Sequence, residues 1–263
     1  MRRFIGALVL LLLISGCSKV VLSGRKQLLL VSDSEVMSLS NQSFTDYMKT
    51  AKASTNKTNT AMVTRVGKNV AAAVESYLTS QGLQSELANF AWEFHLVQDA
   101  TPNAFCMPGG KIVVNEGILP YTQTEAGLAI VLGHEVAHAV AKHSAERLSQ
   151  QMLVSYGGQA LGAILQTKTT ATQQLAQQVY GLGANYGVML PYSRNNESEA
   201  DQLGLIFAAM AGYNPNVALE FWQRMASNGQ TVPEFMSTHP SDAKRIAHIQ
   251  SLLPEALKYY KKK

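Results

Sequence analysis

Two histidines four positions apart, with a glutamate directly after the first, are the residues of this sequence best suited to chemistry. On an α-helix such positions share one face, so His134 and His138 can bind one metal ion while Glu135 lies beside it as a general base. The preceding run 127–133 is apolar, and burying three polar side chains there is costly without a partner such as a metal ion. The pattern therefore predicts a zinc-binding helix that carries its own base, rather than an ordinary helix with two unrelated histidines.

A catalytic zinc ion takes three protein ligands and keeps one position for water, so the two histidines need a third partner. The metzincin class of zinc peptidases would require a histidine at position 144, where this chain has Ser144. His143 does not replace it, because nine positions after His134 a helical residue points to the opposite face. The sequence thus excludes the metzincin class.

An acidic segment further along the chain offers the missing ligand. Glu197 and Asp201 are four positions apart and share a helical face, whereas Glu199 is expected to point away from it. We therefore predict that Glu197 binds the metal ion and that Asp201 supports a ligand, either His138 or His134, by fixing its tautomer.

These residues together resemble the zinc metallopeptidases of family M48, which include the CAAX prenyl endopeptidases, HtpX and the OMA-type proteases. The resemblance is closest to periplasmic lipoprotein or soluble members, and it extends from about Trp92 to Leu253. Its motifs, in chain order, are Asn103-Ala104-Phe105 with Pro108-Gly109-Gly110, His134-Glu135-x-x-His138, Glu197-x-Glu199-Ala200-Asp201, and Thr238-His239-Pro240 with Arg245-Ile246.

The resemblance implies roles for these residues. Glu197 would be the third zinc ligand, Asp201 a supporting acid, and His239 a residue that approaches the metal or the oxyanion of the tetrahedral intermediate. As an oxyanion donor His239 would promote catalysis, which is the role we expect; as a further zinc ligand it would hold the enzyme latent. Cys106 departs from the small apolar residue of many relatives, which raises the question of redox sensitivity.

The motif Pro108-Gly109-Gly110 predicts a turn between two strands. In zinc peptidases an exposed strand at the rim of the active site commonly receives the substrate as an additional extended chain. We expect the run from Gly110 to Asn115 to be that edge, although a purely structural hairpin remains an alternative. The substrate-binding residues of this prediction are Gly110, Lys111, Ile112, Val113 and Val114.

The N-terminus has the pattern of a secretory leader. Arg2 and Arg3 precede an apolar run that is too short to span a bilayer, and Ser15-Gly16-Cys17 resembles a bacterial lipobox. We expect a signal peptide over residues 1–16, acylation of Cys17, a tether without clear periodicity over 17–30, and a zinc metallopeptidase domain over 31–263. The alternative is a plain signal peptide with an incidental cysteine.

The remaining patterns predict a mainly helical α+β fold of the zincin type (gluzincin), with a small β-sheet beside the metal-binding helix. Apolar residues at helical spacing mark helices from Asp33 and from Thr60, and strict alternation marks a strand over 91–97. Asn214-Pro215 is a typical helix start, and a further helix begins near Ser241. The segment 149–190 could include a mobile loop over the cleft, but its role is not readable from composition.

With 263 residues, 46% of them hydrophobic, the chain is long enough to bury a sizeable core. The formal charge of +4 comes without a basic stripe interleaved with aromatic residues, so nucleic-acid binding is not expected. We expect one zinc ion per chain and a metalloendopeptidase that faces the periplasm, anchored to the bilayer of the outer membrane, with unfolded or misassembled envelope proteins as substrates. The alternative is a chaperone or assembly factor for outer-membrane proteins with little proteolysis.

Overall fold

The computed structural model describes residues 17–20, 22–152, 193–227, 234–239 and 243–261. The predicted signal peptide, most of the segment 149–190 and Pro240 lie outside these residues. The strands are β1 (Cys17–Lys19), β2 (Lys26–Leu28), β3 (Glu93–Val97), β4 (Ala104–Met107) and β5 (Lys111–Asn115). The α-helices are α1 (Asp33–Thr50), α2 (Lys57–Ser80), α3 (Leu119–Thr122), α4 (Glu125–Val140), α5 (143–152), α6 (Arg194–Met210), α7 (Val217–Ser227), α8 (Glu234–Thr238) and α9 (Ala243–Ala256). This mainly helical α+β architecture confirms the predicted fold class.

The expected tether contains regular structure. β1 and β2 pair in an antiparallel hairpin, with Ser18 opposite Gln27, and both Val20 and Gln27 are buried. We call β1, β2 and the turn between them the N-terminal hairpin. Strands of three residues are too short to show an alternating pattern, so this hairpin was not predictable from periodicity.

Helices α1 and α2 begin at the residues that can satisfy their free backbone N–H groups. Ser32 and Glu35 form a capping box at α1, and the Asn56 side chain accepts the N–H of Asn59 at α2. The predicted apolar stripe of α2 is buried. Its buried residues include Val63, Val66, Val70, Val74 and Leu78.

The central strand of the three-stranded sheet is β5, not an edge as expected. β5 pairs in parallel with β3 and antiparallel with β4, and all five of its residues are buried. The β4–β5 hairpin itself is as predicted, with Gly109 and Gly110 at φ values of 92° and 83° in the turn. The prediction of Gly110 to Asn115 as the substrate edge is therefore wrong. A local sequence pattern indicates the hairpin of β4 and β5. It does not indicate β3, which comes earlier in the chain and pairs with the other side of β5.

Helix α4 carries His134 and His138 through the centre of the molecule. Every residue from Gly127 to Val140 is buried, as expected for a helix that is apolar on all sides. Helix α6 crosses it at a pair of glycines: a Cβ on Gly204 would lie 2.7 Å from the backbone nitrogen of His134, and one on Gly133 would lie 2.5 Å from the oxygen of Gly204. This close approach brings the acidic residues of α6 to the histidines of α4.

The sheet and the C-terminal helix enclose this helix pair. β4 packs against α4, and α9 packs against α6. Among the described residues, no helix is long and apolar enough to cross a membrane.

Candidate metal centre

Four side chains from three separate segments bring ligand atoms together: His134 and His138 from α4, Glu197 from α6, and His239 just after α8. One ligand atom from each lies within 4.8 Å of the others, and all four residues are buried. The Nε2 atom of His134 is 3.1 Å from Nε2 of His138 and 3.1 Å from Nδ1 of His239. Glu197 Oε1 is 3.0 Å from the same nitrogen of His239. The structure thus brings together all three predicted ligands and adds a fourth donor.

The surroundings of the two α4 histidines fix which nitrogens carry protons. His134 Nδ1 lies 3.0 Å from Asp201 Oδ1, and an ionised carboxylate can only accept, so His134 carries its proton on Nδ1. His143 Nε2 lies 2.8 Å from Glu199 Oε2, which leaves His143 Nδ1 as the acceptor for His138 Nδ1, 2.9 Å away. Both Nε2 atoms then point lone pairs at each other, an arrangement that a cation between them stabilises. The donor set therefore fits a metal ion.

The pKa shifts of the site residues also favour a bound cation. Burial would lower the pKa of His134, but Asp201 and Glu197 raise it to about 9, so the site favours a positive charge at this position, supplied either by a second proton on His134 or, in place of that proton, by a metal ion on Nε2. Burial would raise the pKa of Glu197, but His239, His134 and His138 hold it well below its usual range. Burial lowers the pKa of His138, which keeps its imidazole neutral. A neutral imidazole and an ionised carboxylate are the forms in which these residues bind metals.

Asp201 orients His134 rather than His138, and Arg245 of α9 holds Asp201. The Arg245 guanidinium donates to both carboxylate oxygens of Asp201, at 2.9 and 2.8 Å, and lies 2.8 Å from Glu197 Oε2. It also donates to the backbone oxygen of His239 at 3.1 Å and stacks 3.8 Å above the Trp222 ring. Arg245 therefore connects one proposed ligand, one supporting acid and the segment that carries His239.

His143 and Glu199 lie directly behind the metal site, contrary to the expectation that both point away. Neither is one of the four ligand donors, but together they extend the hydrogen bonding of His138. Helix α4 ends at Val140, and Lys142 adopts a φ of 59°, so the chain turns before His143 begins the next helix. Helical spacing counted from His134 is not valid past that turn.

Glu135 lies next to the cluster and is buried. Its Oε1 atom is 3.3 Å from Nε2 of His239, and burial raises the pKa of its carboxyl group, which favours uptake of a proton. Cys106 is also buried, and burial raises the pKa of its thiol well above the usual range. This cysteine is therefore held as an unreactive thiol in the core.

Sequence reasoning missed part of the site. Local spacing indicates no role for Arg245, and it shows only that His143 and Glu199 are not ligands, not that they lie behind His138. Lys111, predicted to bind substrate, contacts Glu93 Oε1 at 2.6 Å and the backbone oxygen of Ala91 at 2.9 Å.

Comparison with known proteins identifies the family. The chain is 44% identical over 175 residues to the mitochondrial metalloendopeptidase OMA1 of Schizosaccharomyces pombe, which covers 65% of this chain and 50% of that protein. It is 31% identical over 248 residues to the mitochondrial metalloendopeptidase OMA1 of Homo sapiens, and this match covers 90% of this chain and 46% of that protein. It is also 31% identical over 163 residues to the beta-barrel assembly-enhancing protease of Yersinia pestis, and this match covers 59% of this chain and 33% of that protein.

The chain therefore spans at most half the length of these relatives. The model of peptidase family M48 matches residues 60–253, which include both helices of the metal centre. This match confirms the resemblance carried by the sequence motifs. The chain belongs to peptidase family M48.

Proposed function

We propose that this chain is a zinc metalloendopeptidase in which Glu135 is the catalytic base. The observation that carries the proposal is the buried cluster of imidazole and carboxylate donors with Glu135 beside it. His134, His138 and Glu197 would hold the metal ion. When bound, zinc supplies a Lewis acid for the scissile carbonyl and lowers the pKa of water toward about 7.

The residues of the chain perform the proton transfers. Glu135 accepts a proton from the attacking water and delivers it to the leaving amine, and its raised pKa suits it to hold that proton between the two steps. Asp201 keeps the proton of His134 on Nδ1, and His143 does the same for His138, so that both Nε2 atoms stay directed at the metal.

The Glu135→Gln variant tests this mechanism. It should retain about one zinc ion per chain and lose casein cleavage, because the change removes the base but no proposed ligand. Chelation should abolish cleavage by the unaltered chain. Cleavage by Glu135→Gln at close to the original rate would reject Glu135 as the base.

The position of His239 supports the latent role over the oxyanion-donor role that we expected from the sequence. Its Nδ1 atom lies among the ligand atoms, and its Nε2 atom faces Glu135. Occupying the fourth position in this way would exclude the water that catalysis requires. His239→Ala should then raise basal casein turnover with zinc content unchanged, whereas a turnover about a hundredfold lower would restore the donor role.

We propose β4, rather than β5, as the strand that receives the substrate. β4 packs against α4 and pairs with β5 on one side, and no other described strand pairs with it. An extended peptide could add to its free side through backbone hydrogen bonds. A peptide substrate N-methylated at single backbone positions near the scissile bond should therefore be cleaved more slowly, and equal rates at all positions would reject this binding mode.

The substrates and location that we propose are unfolded or misassembled envelope proteins and a bilayer to which acylated Cys17 anchors the chain. Support comes from the lipobox-like leader and from the Yersinia pestis relative, which is a beta-barrel assembly-enhancing protease. Proteins captured by the inactive Glu135→Gln chain would identify the substrates. Cys17→Ala should move the chain to the soluble fraction, and unchanged fractionation would reject anchoring through this residue.

A further inference from the structure

We propose that the N-terminal hairpin is a positioning part of the metal centre: Arg25 holds Glu199 in place so that His143 orients the ligand His138. The inference rests on the proposed metal site and does not depend on acylation of Cys17. It gives a role to a segment that lies outside the residues matched by the family model, which begin at residue 60.

The contacts form a continuous chain from the hairpin to the ligand. Arg25 Nε donates to Glu199 Oε2 at 2.9 Å, and Ser23 Oγ donates to the other oxygen of the same carboxylate. Glu199 Oε2 accepts from His143 Nε2 at 2.8 Å, and His143 Nδ1 lies 2.9 Å from Nδ1 of His138. Four hydrogen-bonded side chains thus connect residue 25 to the metal cluster.

A second carboxylate fixes the guanidinium of Arg25. Glu146 accepts two bonds from it, at 2.9 and 2.7 Å, in the paired geometry that makes arginine–carboxylate contacts specific. Asn196, on the same helix as Glu199, donates to Glu146 at 2.9 Å. Arg25 therefore joins α5 to α6 at the point where both lie behind His138.

Charge explains why a cation is needed at this position. The side chains of Glu146 and Glu199 are only 6% and 5% exposed, and two buried carboxylates in one network are unfavourable without a positive partner. Without Arg25, the Glu199 carboxylate would lose the donor that holds it and would turn away from His143 toward water. His143 would then lose the acceptor that fixes its tautomer, and His138 would lose the fixed proton on Nδ1 that leaves Nε2 free for the metal.

Arg25 also lies where the hairpin meets solvent. Its side chain is 25% exposed, and it follows Cys17 by eight positions, or at most roughly 27 Å of extended chain. A displacement of the hairpin would therefore reach His138 through Glu199 and His143.

Zinc release from the full chain tests the inference. The Arg25→Gln variant should release zinc to a chromogenic chelator about tenfold faster than the unaltered chain, at the lower end of the range for residues that support metal ligands. Lys26→Gln is the matched control, because it removes a cation from an exposed position of the same hairpin and should leave the rate unchanged. Arg25→Lys keeps the charge but loses the paired geometry, so its zinc-release rate should lie between the rates of the unaltered chain and Arg25→Gln.

A double variant separates positioning from simple stabilisation. If Arg25 acts through Glu199, then Arg25→Gln should add little to the release rate in a Glu199→Gln background. Thermal unfolding of the metal-free chains measures the structural contribution separately. A lower melting temperature with an unchanged zinc-release rate would overturn the inference but leave the proposed function intact. An unaltered chain that binds no zinc would reject both.

Discussion

The two histidines of α4 are supported by two different arrangements. Behind His134, Asp201 and Arg245 form a short connection within the helical core, and the Arg245 side chain is 8% exposed. Behind His138 the connection is longer, passing through His143 and Glu199 to Arg25, whose side chain is 25% exposed.

The short connection is rigid because α6 packs directly against both α4 and α9. It also supports a second ligand, since Arg245 lies 2.8 Å from Glu197 Oε2 as well as from Asp201 Oδ1. The longer connection depends on a surface hairpin, which can open locally at a lower free-energy cost than the core. One ligand is thus held from within the core, and the other depends on a hairpin at the surface.

The largest effect on zinc affinity should come from a change that separates the helices carrying both connections. Gly204→Ala places a Cβ 2.7 Å from the backbone nitrogen of His134, so α6 must move away from α4. We expect about 1–3 kcal/mol lower stability and a more than hundredfold loss of zinc affinity, because Glu197 and Asp201 both move. Zinc titration and urea unfolding measure these effects.

Gln202→Ala is the control for this change, because Gln202 is exposed on the same helix. It should leave both quantities unchanged. Zinc affinity that is equally unaffected in Gly204→Ala would mean that the glycine contact does not position the acidic residues.

Breaking only the short connection should have the next largest effect. Arg245→Gln leaves Asp201 and Glu197 buried without their guanidinium, which should lower zinc affinity about a hundredfold and the stability of the metal-free chain by about 3–5 kcal/mol. The exposed neighbour Lys244 offers a control, Lys244→Gln. Equal losses of zinc affinity in Arg25→Gln and Arg245→Gln would show that the core does not hold His134 more firmly than the hairpin holds His138.

The smallest effect concerns acid stability of the longer connection. Burial would raise the pKa of Glu199, but hydrogen bonds from His143, Ser23 and Arg25 lower it to about 2, below the ordinary value of 4.5. The ionised carboxylate therefore stabilises the fold fully above pH 4.5, and this contribution is lost as the pH falls toward 2. Solvent around the partly exposed Arg25 screens the network, so the contribution should be smaller than the full pKa difference implies, about 1–2 kcal/mol.

Without metal, the free energies of unfolding of the unaltered chain and of Glu199→Gln should differ by a constant amount above about pH 5. This difference should shrink below pH 4.5. Urea unfolding at a series of pH values measures it. A difference that stays the same down to pH 2.5 would show that Glu199 is not held ionised by its partners.

The sequence determined the parts of this site that depend on short spacing. Residues four positions apart share a helical face wherever a helix forms, so the pairing of His134 with His138 and of Glu197 with Asp201 followed from the sequence alone. The turn at Gly109-Gly110 was equally local, since few other residues adopt its φ values. Family membership followed because several such local motifs occur in one order.

Tertiary structure decided everything that depends on where elements end and what packs beside them. It placed β3 against β5, so that β4 became the free edge, and it turned the chain at Lys142, so that His143 came to lie behind His138. It chose His134 as the partner of Asp201 and brought Arg25 to Glu199 across 174 positions of sequence. No local period encodes such contacts, because they arise only when the buried faces of distant segments meet in one core.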